Sequence, residues 1–397
     1  MIPKSFSFLS NPDQALEVLD TLASLLRDNQ VGNLHFDHSE CESLDLCASA
    51  VMDVLFVQGQ RNARLHHRSI IPSGYFSPND DVNVLLKVNG ILRAVNHPSS
   101  QLVPQELKER LKIFHLKRGF RTPPEQSSET ERTSTDLVDF FNSCLGTEGY
   151  RLQEQKQRTL IDLIAEVLGN SEEHSGPVGA TGGPAWYAIG FYRGSGINGS
   201  GGECHLVLFN FGWSIFESLK SPDTSDVLKS EISGLADRHR AAGFFDIVFE
   251  YARGLILANG RFWQEDALWT LYALQEGVSR LRHQPGNEDR GNGTIRMIQF
   301  FSELAPNGPQ MVLLSGRTWI KFDGTYNLGT IMKPGGQRKI MAFNSENDLS
   351  KPPDPNFVRT LGRRFPGTLV SLKFILRRED LAKIHEGLDE NEDSRFG

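Results

Sequence analysis

Cysteine is scarce in this chain of 397 residues, and the four present, Cys41, Cys47, Cys144 and Cys204, include no CxxC pair. That spacing supplies neither a zinc site nor a disulfide framework, and a reducing compartment is expected. No stretch approaches the roughly 18 uninterrupted apolar residues that a membrane-spanning helix needs. The first residues, MIPKSFSFLSNPDQ, lack a basic segment followed by an apolar run, so export and membrane contact are not expected and the expected location is cytoplasmic. Positive charge is short as well. With 42 Lys and Arg against 49 Asp and Glu, the formal charge of -7 offers no global attraction to a phosphate backbone, so nucleic acid is not a favoured partner. Serine-hydrolase chemistry lacks its nucleophile elbow, since GWSIF is not G-x-S-x-G. What remains is 39% apolar and 23% charged residues, the balance of a globular protein long enough for two or three domains.

The pattern that is present alternates strands and helices. SFSFLS and VGNLHFDHS read as strands, Ala15 to Leu26 carries apolar residues at helical spacing, and DLCASAVMDVLFVQGQ reads as a buried helix. VNVLLKVNGILRAV is a further helical candidate and LKIFHLK a short strand, which gives a smaller α/β domain over 1–120. RTPPEQSSETERTST, residues 121–135, has no apolar periodicity and predicts a linker. Two helical segments follow, DLVDFFNSCLG and one from about Glu154 to His174. In the second, Leu160, Ile161, Ile164, Val167 and Leu168 form an apolar stripe, while Glu166, Asn170 and His174 follow one another at four-residue spacing along one strip. GPVGATGGP ends that helix. WYAIGFYR and ECHLVLFNF predict an antiparallel hairpin, Trp213 to about Asp289 is mainly helical, and RGNGTIRMIQFFSEL is a loop entering a helix. MVLLSG, TWIKFDG, KIMAF and GTLVSLKFIL read as strands, and 377–397 as a charged, solvated or loosely ordered tail.

Taken in order, the pieces from about 150 to 376 resemble the GHKL ATP-binding fold, shared by histidine kinases, type II topoisomerases, heat-shock chaperones of the ninety-kilodalton class and mismatch-repair ATPases. That family's N-box is a helix carrying E-x-x-x-N, continued in kinase-like members to H-S; Glu166, Asn170, His174 and Ser175 match it. The resemblance implies that Asn170 gives a carbonyl oxygen to Mg²⁺, that Glu166 is the catalytic group orienting or deprotonating the attacking nucleophile, and that His174 steadies the helix end. The plain alternative is a solvated polar helix face. The second signature, D-x-G-x-G, is occupied by Asn210, Gly212 and Ser214, followed by Ile215, so two of its three residues are changed. Asn210 keeps an acceptor oxygen for adenine, but a neutral hydrogen bond contributes roughly 0.5 to 1.5 kcal/mol against about 1.5 to 3 for a charged one. Ser214 is comfortable there only with negative φ, because a left-handed backbone costs a side-chain-bearing residue about 1 to 2 kcal/mol. RGNGTIRM supplies Arg290, Gly291, Gly293 and Thr294 to the family's glycine-rich phosphate turn, and Gly367 with Thr368 match its closing G-T strand. Each of these also reads as ordinary turn chemistry.

The fold class implied is α+β: a GHKL-type α/β sandwich over 136–376, with a mixed sheet, helices on one face and a long helical lid or insertion at 213–290. The N-terminal domain resembles a STAS-like module more faintly, through NLHFDHSECESLDLCASAVMDVL, with Leu44 and Asp45 near the usual Asp-Ser element and Leu46 or Cys47 at the phosphoacceptor place. The resemblance implies ATP and Mg²⁺ as cofactors and a regulatory ATPase in which nucleotide controls the lid and the contacts with a regulatory protein partner. Two alternatives stand beside it: a protein kinase of the histidine-kinase or serine-kinase (anti-sigma) type, and a degenerate, non-enzymatic interaction module. The long helix before and through the N-box could also pair two copies into a homodimer.

Overall fold

In the computed structural model of the chain, the described residues are 1–28, 30–89, 91, 111–121, 129–174, 183–194, 202–222, 224–235, 237, 265–276, 278, 293–304, 310–333 and 336–384. The first elements are β1 (Ser5–Phe6) and α1 (Pro12–Arg27). Pro12 sits in the first turn of α1, where its missing N–H is not needed, and Ala15, Leu16, Leu19, Leu22 and Leu26 make its buried stripe. After β2 (Asn33–Asp37) and β3 (Ser43–Leu44) comes α2 (Leu46–Leu65), capped by Asp45, whose carboxylate accepts from the Ala48 N–H at 2.7 Å. β4 (Ile71–Tyr75) and α3 (Asp80–Val88) complete this part, in which β1 pairs with β3 and β2 with β4, both parallel.

The chain continues through β5 (Leu111–Gly119), α4 (Glu129–Gly146), β6 (Tyr150–Leu152), α5 (Glu154–His174) and the hairpin of β7 (Trp186–Arg193) with β8 (Glu203–Phe211). Next come α6 (Ile215–Lys220), a helical run at 226–235, α7 (Glu265–Ala273) and α8 (Gly293–Leu304). The last strands are β9 (Gln310–Phe322), β10 (Gly329–Lys333), β11 (Gly336–Ile340), β12 (Val358–Ile375) and β13 (Leu381–Lys383).

Five of these strands form the central sheet, in the order β5-β7-β8-β12-β9. Every ladder in it is antiparallel, so the expected mixed sheet is corrected: the parallel pairs lie in the N-terminal part. The helices α4, α5 and α8 lie on one face of the sheet, and the other face is covered from the N-terminal part. Along β8, Cys204, Leu206 and Leu208 join the core beneath α4, α5 and α8, while Val207 and Phe209 join the core formed with α1 and α2. A strand that is apolar on both sides needs cover on both sides, and the N-terminal elements supply the second cover. Polar ties fix them there: the Trp319 indole N–H donates to the Phe8 carbonyl at 2.7 Å, and the Gln58 amide donates to the Tyr187 hydroxyl at 2.7 Å. Arg363 pairs with Glu17 at 3.2 Å and Asp20 at 3.4 Å.

Other departures have local causes. β5 precedes the expected linker in sequence yet pairs with β7. Residues 129–135 of that linker belong to α4, with Thr130, Thr133 and Ser134 buried; the Ser134 hydroxyl donates to the Thr130 carbonyl at 2.7 Å, which satisfies it inside the helix. MVLLSG and TWIKFDG form the single strand β9, bent where Gly316 takes φ 58°. The start of the charged tail is held down: β13 pairs with β6, and buried Asp380 meets Lys156 at 3.4 Å. Within 213–290, Leu219, Leu228, Ile232, Leu268, Trp269 and Tyr272 form a small core of their own, while DIVFEYARGLILANG lies outside the described residues. No described helix is long and apolar enough to cross a membrane.

Candidate functional site

The end of β8 meets a bend in β12. Asn210 stands opposite Thr368 in the ladder and is 1% exposed. Its carbonyl oxygen accepts from the Thr368 backbone N–H at 3.3 Å, which fixes the amide's orientation, because the flipped amide would set donor against donor. The amide nitrogen of Asn210 is left buried with no partner, a state that costs on the order of 1–3 kcal/mol. The strand β12 shifts register between Phe365 and Thr368, and Gly367, at φ 150°, is required there: a Cβ would overlap the backbone carbonyl oxygen of Asn210. The Gly212 N–H donates to the Pro366 carbonyl at 2.9 Å and closes the junction.

A second polar layer runs from the same threonine. The hydroxyls of Thr368 and Ser315 are 2.8 Å apart, and the Ser315 hydroxyl also accepts from the Ile215 N–H at 2.8 Å. Asn210, Thr368, Ser315 and Ile215 are thereby linked into one chain. Ser315 was not among the expected residues; its place opposite Thr368 is a matter of register between strands far apart in sequence.

Ser214 takes φ −72°, so the condition for a serine at the second glycine position is met. Its role there is that of a helix cap. The Ser214 hydroxyl accepts from the Glu217 N–H at 3.3 Å, while the Glu217 carboxylate accepts from the Ser214 N–H at 2.8 Å and from the Ser214 hydroxyl at 2.9 Å. Arg364, in the β12 bend, reaches both carboxylate oxygens at 2.6 Å. Burial of Glu217 opposes its ionisation, but the two Ser214 hydrogen bonds and the Arg364 guanidinium outweigh it and hold the carboxyl below its usual range. SIFE is an S-x-x-E capping signature and was legible in the sequence.

Glu166 and Asn170 lie on α5. The Asn170 amide donates to the Glu166 carboxylate at 3.2 Å; Glu166 is exposed and Asn170 half-buried. Leu160, Leu163, Ile164 and Leu168 of the same helix are in the core, and α5 packs against β7, β8 and α8. His174 is the last residue of α5, and Gly293 and Thr294 open α8. Arg290 and Gly291 lie outside the described residues. Among the described residues no hydrogen bond joins the Glu166–Asn170 pair to the Asn210 chain, and no group of three or more His, Cys, Asp or Glu is gathered as for a metal ion. A Mg²⁺ held as the resemblance implies would draw on the Asn170 oxygen and on waters and phosphate oxygens, which suits that ion's habits.

In the N-terminal part, Asp45 is occupied as a helix cap, and Leu46 and Cys47 are each 2% exposed. Burial pushes the Cys47 thiol well up, and the positions that the STAS-like resemblance would give a phosphoacceptor are closed to solvent. Comparison with protein-family models, with curated proteins and with solved structures finds no match.

Proposed function

We propose that the chain binds ATP with Mg²⁺ in a GHKL-type site and works as a regulatory ATPase, the nucleotide setting the conformation of 213–290 and its contacts with a protein partner. One observation carries this reading: the buried, unpartnered amide nitrogen of Asn210, beside the Thr368 and Ser315 hydroxyls, at the place where the resemblance puts the base. A buried polar group left unpaired calls for a partner, and an acceptor atom of a bound base would supply one to this N–H. Asn210, Gly212, Ile215 and Thr368 would hold the base. Asn170 would supply the metal's oxygen and Glu166 the water-orienting carboxylate, with His174, Arg290, Gly291, Gly293 and Thr294 on the phosphate side. When bound, the metal would neutralise charge on the phosphates; the chain's own part is to bind, orient and exclude water. Because the Asn210 carbonyl already accepts from Thr368, recognition of the adenine amino group rests on a second lone pair, and the affinity falls below that of a site with an acid there by about tenfold for each 1.4 kcal/mol.

Titration calorimetry with ATP and Mg²⁺, followed by phosphate release, tests the proposal. Wild type should bind, Asn170→Ala should lose the Mg²⁺-dependent part of the affinity, and Glu166→Gln should bind but release less phosphate. Absence of ATP binding by wild type overturns it. That outcome favours the second reading, an interaction module without turnover, which is supported by the engaged carbonyl of Asn210 and the capping role of Ser214.

A further inference from the structure

A separate cavity of about 110 Å³ opens in the N-terminal part, between the parallel pair β2 and β4 and the helices α2 and α3. Phe36, Met52, Leu86 and Ile91 give it an apolar lining. Its size is close to that of the roughly 150 Å³ apolar cavity that accepts one benzene ring. Of the polar side chains that also line it, with Ser73 and Tyr75 exposed at the rim, two are buried. His38 and Asp53 are each 5% exposed, and the His38 Nε2 and Asp53 Oδ2 atoms have no hydrogen-bond partner. Two such orphans in one small apolar space are costly, on the order of 1–3 kcal/mol each, and native cores rarely keep them without a use. Burial pushes the His38 imidazole down, against the backbone carbonyls of Phe36 and Tyr75 that face it. Ionised Asp53 is an acceptor only, so a molecule that completes the cavity as an ion pair brings N–H donors on an apolar body.

We propose that this cavity binds a small primary amine carrying an apolar group about the size of one ring, with its nitrogen directed to Asp53 and His38 and its ring among Phe36, Met52 and Leu86. The site belongs to the layer on the far side of the central sheet from α5 and α8, so its ligand is independent of the nucleotide. Burial drives the Asp53 carboxyl well up, against a hydrogen bond from the Ile91 backbone. An alkylammonium ion forms the ion pair with ionised Asp53, and where that carboxyl carries a proton the proton leaves to solvent, so charge balances.

The test is titration calorimetry of the full chain with benzylamine, benzyl alcohol and toluene. Benzylamine should bind saturably, at least tenfold more tightly than either neutral probe, with an enthalpy that varies with the ionisation heat of the buffer as a proton is released. Asp53→Asn, checked for folding by circular dichroism, should lose tenfold or more of that affinity and the proton release with it. Absence of saturable benzylamine binding up to roughly 10 mM overturns the proposal, as does equal affinity for benzyl alcohol. Unchanged binding by folded Asp53→Asn does the same. Should that variant fail to fold, the comparison of the three probes on the unaltered chain decides alone.

Discussion

Replacing Ser214 separates two readings of one position. If residue 214 stood in a left-handed turn, as the second glycine of the resembled signature implies, Ser214→Gly would relieve about 1 to 2 kcal/mol of strain and stabilise the protein. The observed φ of −72° and the reciprocal bonds with Glu217 predict the opposite sign. Losing a serine cap costs about 1 kcal/mol when alanine replaces it and a few tenths for glycine. The hydroxyl's bond to the ionised Glu217 adds about 1 kcal/mol at most, discounted because that carboxylate is 37% exposed. Ser214→Ala should therefore destabilise by about 2 kcal/mol and Ser214→Gly by about 1 kcal/mol. For a chain of this size that lowers the melting temperature by a few degrees. Urea denaturation followed by tryptophan fluorescence and circular dichroism measures it, and a cycle with Glu217→Ala should show a coupling of about 1 kcal/mol. A glycine variant more stable than wild type would refute the capping account and return residue 214 to the turn.

Two further predictions test the layers around the sheet. Trp319→Phe removes the indole donor to the buried Phe8 carbonyl and should cost about 1–3 kcal/mol, seen as a lower urea midpoint and faster amide exchange in α1; an unchanged midpoint would show that the tie is dispensable. At Glu203, burial opposes ionisation, but the His205 hydrogen bond at 2.9 Å and Lys373 at 3.0 Å outweigh it and hold the carboxyl at about 2. A folded value depressed below the unfolded one stabilises fully above about pH 4.5 and is lost as pH falls from there to about 2. The amount is about 3 kcal/mol, and Glu203→Gln should flatten the stability profile across that window; a profile as steep as wild type would contradict the assignment.

The legible parts of the fold were those whose signal is local. The β7–β8 hairpin and helices α2 and α5 follow from apolar runs and their spacing. The second cover of the sheet was hidden because strands apolar on both sides lose the alternation that would tell which face meets what. Nothing in the neighbourhood of Phe8 announces Trp319, 311 residues later. At the site, strand register brings Asn210, Thr368 and Ser315 together, and a bend in β12 brings Arg364 to Glu217. Ser214 is a different case: its S-x-x-E signal is local and complete, and only the match to a glycine position obscured it. Asp53 is similar, a lone acid in the apolar run CASAVMDVLFV, where a carboxyl on a buried helix face needs either a partner or a cavity.

The two-sided sheet also governs the order in which the chain can become itself during synthesis. Residues 1–91 leave the ribosome first, yet the core they belong to is completed by Val312, Leu314 and Trp319 of β9 and by Leu361, Phe365 and Leu369 of β12. Until those strands emerge, α1 and α2 hold an apolar surface with nothing to cover it, and closing such distant contacts is slow. Nascent chains halted before β9 should accordingly be captured by chaperones that bind exposed apolar segments, and release should coincide with the arrival of β12.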